Sequence, residues 1–296
     1  MAADSNRGRV LIAGCGDLGN RLGTRLVRAG FEVWGLRRSS ARIADGITPV
    51  GADLGSPRQL IDNLPECIEY LVFAAAADRF DAAAYQSLYV QGSEHLLAAC
   101  AERGIVPHWA GFVSSTSVYG QRDGEWVDET SATAPEGFSG RALLQAESVW
   151  EQAPFATTRV RFAGLYGPGR TRLIERVRSG QRTPPEPPKY SNRIHIDDAA
   201  RLLQHLVQAV AGGVALDDLY IGVDDTPAPL HEVEAHLAAL LGAQGPVKMQ
   251  ADASRVGSKR CTNQRIRNLG FAPLYPSYRE GYAALLASGG QSAPSE

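Results

Sequence analysis

Val10-Leu11-Ile12-Ala13-Gly14-Cys15-Gly16-Asp17-Leu18-Gly19 is the stretch whose reading decides the fold. Its first four residues form a short apolar run, and Leu18, Leu22, Leu26 and Val27 then recur at helical spacing as far as Gly30. The pattern predicts a strand, a glycine turn and a helix. In that setting Gly14 permits the tight turn, Gly16 lets backbone N–H groups approach a pyrophosphate, and Gly19 allows close helix-on-strand packing. The anion would rest on the helix N-terminus, where unpaired amides and the helix dipole favour negative charge. Residues Gly14, Cys15, Gly16, Asp17, Leu18 and Gly19 are therefore candidate cofactor contacts, the alternative being a glycine-rich turn that holds nothing.

Outward from this unit, Phe31 to Leu36 reads as a second strand, Leu71-Val72-Phe73-Ala74 as a buried one and Gly111-Phe112-Val113-Ser114 as another. Apolar positions at Leu88, His95, Leu96, Ala99 and Cys100 predict a long helix over Tyr85 to Arg103, followed by a helix from about Gly140 to Glu151 and a strand from Thr157 to Phe162. Strands alternating with helices imply right-handed crossovers and a Rossmann-type, doubly wound parallel sheet of the α/β class. The second strand ends in Trp34-Gly35-Leu36-Arg37-Arg38-Ser39-Ser40. An acidic residue there would bind a ribose 2′-hydroxyl, whereas arginine would meet a 2′-phosphate. Arg37 and Arg38 offer two guanidiniums and no carboxylate occupies the slot, which points to NADP(H), with NAD(H) the alternative. Both arginines as solvated loop charges is the other reading.

Beyond residue 165 the texture changes, because Gly167-Pro168-Gly169 and the tract Thr183-Pro184-Pro185-Glu186-Pro187-Pro188 sustain neither helix nor central strand. The expected division is a Rossmann domain over 8–165 with a return segment near 190–222, a smaller, partly discontinuous substrate lobe over 166–288, and a frayed tail over 289–296. A chain of 296 residues with 44% hydrophobic and 21% charged residues and a net charge of −2 carries no single-sign field that would recruit nucleic acid or an anionic membrane. A small-molecule partner is expected instead. Cys15, Cys67, Cys100 and Cys261 show neither paired spacing nor a histidine set, which argues against a disulfide framework and a zinc site. Residues Met1 to Gly8 lack an apolar signal core and no run nears the ~20 apolar residues of a membrane span, so a cytoplasmic location is expected.

Five further segments, in order, resemble the extended short-chain dehydrogenase/reductase family of nucleotide-sugar epimerases, dehydratases and related reductases. Ala52-Asp53-Leu54 looks like its adenine-contacting segment, and Ala74-Ala75-Ala76-Ala77 like its cofactor-lining strand end. Val113-Ser114-Ser115-Thr116-Ser117-Val118-Tyr119-Gly120 is similar to its active-site serine strand, with Ser115 at the catalytic position. Phe162 to Gly169 resembles the segment after the sixth strand, and Asn192-Arg193-Ile194-His195-Ile196-Asp197-Asp198 the later His-x-x-Asp stretch. The resemblance implies Asp53, Leu54, Ala74, Ala75, Ala76 and Ser114 as cofactor contacts and Thr116, Tyr166 and His195 on the substrate side. Helix-pair dimers are common in that family, so it also allows a homodimer.

Two departures qualify the likeness. The family's usual first glycine is Ala13 here, with Gly14 supplying the dinucleotide spacing. More serious, the family's chemistry uses a Tyr-x-x-x-Lys pair in which lysine lowers the tyrosine pKa. Registering Ala146-Glu147 on the Ala-Glu that follows this pair puts Ser139 and Leu143 in its places, and the chain's three lysines, Lys189, Lys248 and Lys259, all lie beyond the Rossmann core. Thr116-Ser117 also replaces the Asp-Glu of the dehydratase branch, which argues against dehydration by that route.

Other groups are then candidates for the chemistry. Ser115 would orient a substrate hydroxyl or carbonyl, or be satisfied by backbone alone. Tyr119 is a candidate phenol, and Arg141 would hold an anion or replace the missing cation, the plainer alternatives being packing and a solvated helix charge. His195 and Asp198 would form a pair, or Asp197 or Asp198 would be the N-cap or a first-turn acid of the following helix with His195 structural. Arg159 and Arg161 are expected on the surface or at a cleft mouth. Lys259, Arg260 and Arg265 are expected on a solvent-facing basic stretch, with an anion-binding role the alternative.

Overall fold

The computed structural model describes residues 7–243, 245–250 and 257–287. In chain order the first elements are β1 (Arg9–Ala13), α1 (Asp17–Arg28), β2 (Glu32–Arg37), β3 (Thr48–Gly51), α2 (Pro57–Asn63) and β4 (Tyr70–Phe73). Then come α3 (Ala82–Tyr85), α4 (Gly92–Glu102), β5 (Trp109–Ser115), β6 (Asp123–Val127), α5 (Phe138–Glu151) and β7 (Ala156–Phe162). They are followed by β8 (Gly164–Tyr166), α6 (Arg172–Arg178), β9 (Gln181–Arg182), β10 (Tyr190–Ser191), β11 (Arg193–His195) and α7 (Ile196–Ala211). The last are β12 (Leu219–Gly222), β13 (Ala228–Pro229), α8 (Leu230–Leu241), β14 (Lys248–Met249), β15 (Ser258–Cys261), α9 (Gln264–Asn268) and α10 (Tyr278–Ala287).

Seven strands form one sheet in the order β12-β7-β5-β4-β1-β2-β3, with β1 parallel to both β2 and β4, β2 to β3 and β4 to β5. This is the Rossmann-type α/β architecture that the strand–helix alternation predicts. The apolar runs at β1 and β4 are central strands covered on both faces, which is why they read as continuous rather than alternating. From β1 the chain steps outward to β2 and β3, then crosses back to β4. The reversal opens a crevice beyond the C-terminal ends of β1 and β4, where ligands of open α/β sheets bind.

Two compact units interleave along the chain. The first comprises Met1–Val118, Pro135–Arg161 and Ala200–Tyr220, and the second Tyr119–Ala134, Phe162–Ala199 and Ile221–Glu296. Segment 119–134, inside the 8–165 stretch of the sequence-based division, groups with the second unit, and the return segment is 200–220. The expected frayed tail over 289–296 lies outside the described residues.

In the first unit, Leu18, Leu22 and Leu26 of α1 are buried as their spacing predicts. Each such leucine contributes ~1.5–3 kcal/mol of transfer free energy at most. A Cβ at Gly19 would stand 3.2 Å from Ile12 Cγ2, so the helix sits directly on β1. Phe73, Phe112 and Trp150 pack with ring centroids 5.5–5.8 Å apart. Burying two tryptophans requires partners for their N–H groups. Trp150 Nε1 donates to Ser93 Oγ and Trp109 Nε1 to Thr158 Oγ1, each at 2.9 Å. The long helix expected over Tyr85 to Arg103 begins at Ala82 and is interrupted by a π-helical turn, Gln86–Gln91, before α4. Such turns insert one residue and shift the helical face. Here Gly92 follows, where a Cβ would lie 3.2 Å from Leu54 Cβ.

The second unit centres on Tyr166, Ile174, Val177, Val233, Leu237, Tyr278, Tyr282 and Leu285. The Pro-rich tract is anchored at its start by Glu234, a fully buried carboxylate of α8. Glu234 accepts from the Thr183 amide at 2.5 Å, from Thr183 Oγ1 at 3.0 Å and from Arg176 Nε at 2.9 Å. No described helix is long and apolar enough to cross a membrane.

Candidate functional site

The glycine turn sits at the crevice between β1 and β4. Gly14 has φ +91°, and a Cβ there would collide with the backbone of Ala75, just past β4. Only glycine closes that approach. A Cβ at Gly19 would fall 2.8 Å from the Gly14 carbonyl oxygen. Gly16 is different. It is the N-cap residue of α1 with φ −84°, and a Cβ placed on it meets nothing within 4 Å. Neither backbone strain nor neighbouring protein atoms require a glycine at that position. As N-cap, Gly16 supplies no side-chain hydrogen bond to the first turn of α1, and Asp17 forms a 2.7 Å ion pair with Arg21 Nε. The first turn of α1 thus follows the glycine turn with no side-chain cap from its N-cap residue.

Around it the sequence-selected residues of the first unit converge. Arg37, the last residue of β2, donates from Nη1 to the Cys15 carbonyl at 3.4 Å, tying the strand end to the turn. Burial pushes the Cys15 thiol up to about 11, so it is a neutral packing group. Arg38 is exposed and its guanidinium is ion-paired with Asp78, which follows the Ala74–Ala77 run. Asp53 Oδ1 accepts from the Gly55 amide at 2.8 Å, and the Leu54 carbonyl is held 3.0 Å from His95 Nδ1. Ala74 is buried and Ala75 half-buried, while Ala76 is exposed. Ser115 Oγ accepts from the Ser117 amide at 3.1 Å, and Thr116 is buried in the 3₁₀ turn Thr116–Val118.

Ser114 turns its hydroxyl away from solvent and donates to Glu147 Oε1 at 2.5 Å. Glu147 also receives two bonds from Arg161, Nε to Oε1 at 3.0 Å and Nη2 to Oε2 at 2.6 Å. Arg161 therefore corrects the surface or cleft-mouth expectation. Alternation along β7 placed it opposite Val160 and Phe162, but that face is covered by α5, whose buried carboxylate makes the position habitable for a charge. Arg159 pairs with Glu151 and donates to the Asp218 carbonyl at 3.1 Å. Arg141 is exposed at the start of α5 and bonded to the Glu136 carbonyl. Residues Phe138–Glu151 contain neither tyrosine nor lysine.

Tyr119, Tyr166 and His195 belong to the second unit. β8 and β11 pair in parallel with His195 opposite Tyr166, and the two rings meet edge to face at 5.2 Å. Tyr166 is buried with its hydroxyl 3.5 Å from the Ser277 carbonyl. Burial, and then the charge of Asp224, push that phenol far above its ordinary range, which keeps it protonated. His195 Nδ1 accepts from the Asp197 amide at 3.2 Å, which puts the ring hydrogen on Nε2. Asp197 and Asp198 lie in the first turn of α7, the first-turn position that the sequence allowed for them. Asp198 is fully buried and accepts from the Leu274 and Tyr275 amides at 2.7 and 2.9 Å.

The solvent-facing expectation for Lys259 is overturned. It lies on β15, fully buried, with Nζ donating to the Tyr119 carbonyl at 3.1 Å, and burial lowers its pKa. Pairing of β15 with β6 encloses the position, a long-range contact invisible to a local reading of a basic stretch. Arg260 stacks between Trp126 and Tyr190 at 5.0 and 4.8 Å, and Arg265 Nε stands 3.8 Å from Glu129. Sequence reasoning also missed Asn20, whose side chain bonds Cys15 Sγ, the Ala44 amide and the Arg42 carbonyl and so ties the segment after β2 to α1. Its only local signal was a polar residue one place past Gly19.

Asp224 is 2% exposed, and burial raises its carboxyl to about 7 against the opposing charge of Arg193. In the unfolded chain an aspartate ionises near ~3.9. The folded protein thus binds more protons between those values, and stability present below the lower value is lost as pH rises through the upper one. Thermal unfolding should give a lower Tm at pH 8 than at pH 5, and Asp224→Asn should shrink that difference. An undiminished difference in the variant would assign it to other groups.

The model of the NAD-dependent epimerase/dehydratase family matches residues 10–222. A solved structure from Methylobacillus flagellatus, provisionally described as an NAD-dependent epimerase/dehydratase, is 36% identical, with a TM-score of 0.78 over 97% of this chain and 100% of that one. WbmG of Bordetella bronchiseptica, solved in complex with NAD, shares the fold at 17% identity, with a TM-score of 0.79 and 100% of both chains covered. UDP-glucose 4-epimerase of Thermotoga maritima, solved with UDP-glucose, does so at 17% identity and a TM-score of 0.76 over 93% of this chain and 96% of that one. No curated protein matches the chain. The chain belongs to the NAD-dependent epimerase/dehydratase family.

Proposed function

We propose that this protein binds NADP(H) in the first unit and acts as an oxidoreductase or epimerase-like enzyme on a nucleotide sugar or a similar carbonyl or polyol substrate, using acid/base residues other than the family dyad. The observation that carries the reading is Gly16, a glycine at the N-cap of α1 that no neighbouring atom demands. A dinucleotide diphosphate lying on the helix amides accounts for it. A bound nicotinamide supplies the hydride acceptor or donor. This chain's part is to grip the diphosphate on the α1 amides, to meet the adenosine 2′-phosphate with Arg37 and Arg38, and to orient the reacting hydroxyl or carbonyl through Ser115.

The ligands of the solved neighbours, NAD in one and UDP-glucose in another, support a dinucleotide and a nucleotide sugar. The choice of NADP over NAD rests on the two guanidiniums at the end of β2. An α5 without tyrosine or lysine favours a second reading, a protein that binds NADPH without turnover and senses or regulates through its occupancy. The two readings part on one experiment. An enzyme should oxidise NADPH in the presence of a nucleotide-sugar carbonyl at a rate that Ser115→Ala reduces. A sensor should gain thermal stability from NADPH by linkage while no carbonyl changes the nucleotide. For the cofactor, Arg37→Ala with Arg38→Ala should weaken NADPH by about tenfold or more and NADH little. Equal weakening of both nucleotides in titration calorimetry would refute the 2′-phosphate assignment.

A further inference from the structure

Arg37 and Arg38 are unlike in their surroundings. Arg37 is half-buried and spends an N–H on the Cys15 carbonyl. Arg38 is the free-standing guanidinium, its side chain 61% exposed, yet it is held by Asp78, whose side chain is 67% exposed. Asp78's hydrogen bond and charge raise the Arg38 pKa, and the charge of Asp53 adds to them. At the end of β2, therefore, the Arg38 guanidinium already has a carboxylate partner in Asp78. A site built only to take a phosphate dianion would leave its guanidiniums unmatched.

We propose that Asp78 is a specificity-determining residue for the cofactor: its carboxylate occupies Arg38 and competes with an adenosine 2′-phosphate while leaving a 2′-hydroxyl nearly unaffected. The inference rests on the reading that the end of β2 receives the 2′ position. An exposed ion pair is among the weakest polar contacts in a protein, whereas phosphate offers a guanidinium two parallel charge-assisted bonds. NADPH thus displaces Asp78 from Arg38, but against its carboxylate, and the discrimination between NADPH and NADH is smaller than two arginines would otherwise give. Asp78 lies four residues past Ala74 of the cofactor-lining run, so the loop after β4 bears on the choice made at the end of β2.

The test is titration calorimetry of NADPH and NADH with the full chain, its Asp78→Asn, Arg38→Gln and doubly substituted forms, at one fixed ionic strength. Asp78→Asn should tighten NADPH about fivefold and leave NADH within about twofold. In the Arg38→Gln background the gain should fall to less than half, because the carboxylate acts largely through that guanidinium. Suppose that the unsubstituted protein prefers NADPH and Arg38→Gln removes the preference, yet Asp78→Asn leaves the NADPH to NADH ratio unchanged. The inference is then wrong and the cofactor reading stands. If instead the unsubstituted protein shows no preference and Arg38→Gln weakens both nucleotides alike, the 2′-phosphate reading fails and the role of Asp78 goes with it.

Discussion

Gly16→Ala should fold as the unsubstituted protein does and lose its grip on dinucleotide. The backbone at Gly16 suits an L-residue and the added methyl meets nothing within 4 Å, so the cost is the ordinary one of replacing a tolerated N-cap glycine by alanine, ~1 kcal/mol or less. Thermal unfolding should therefore move by no more than about 4 °C. The methyl occupies the space through which a diphosphate must approach the α1 amides, and NADPH affinity should fall about tenfold or more. Gly14→Ala behaves oppositely. At φ +91° with the Ala75 backbone in the way, it should unfold or lose several degrees of Tm whether or not nucleotide is present. If Gly16→Ala bound NADPH as the parent does, the cradle would have another purpose.

Arg161→Leu should be among the most damaging single changes in the first unit. It leaves Glu147, 2% exposed, with the Ser114 hydroxyl as its remaining described partner. Breaking one side of a buried pair costs ~3–5 kcal/mol, since the surviving charge stays out of water. A Tm lower by roughly 10 °C follows for a unit of this size. Glu147→Leu with Arg161→Leu should recover much of that loss, because an apolar pair removes the stranded charge. Both variants retaining the parent Tm would show that the pair is not desolvated as described. Through Glu147 the same pair also holds the hydroxyl of Ser114, the residue before Ser115 on β5.

Most of the fold was legible because its determinants are local. The apolar runs of β1 and β4, the leucines of α1 and the glycine spacing each follow from a short window, and together they specify the sheet. The sharp turn at Gly14 and the place of Arg37 at the end of β2 were readable for the same reason. What escaped depends on partners far along the chain. Lys259 looked like a surface cation until β6 enclosed it and Arg161 until α5 supplied Glu147, while the Asp78 partner of Arg38 lies forty residues on. The π-helical turn before α4 also escaped, since it lies within an otherwise continuous helical pattern.

The account depends most on the proposed role of the α1 N-terminus as a dinucleotide cradle, and titration of NADPH and NADH into the intact protein tests it most directly. Saturable heat with both nucleotides is predicted, with the tighter isotherm for NADPH. A flat titration with each of them would contradict it.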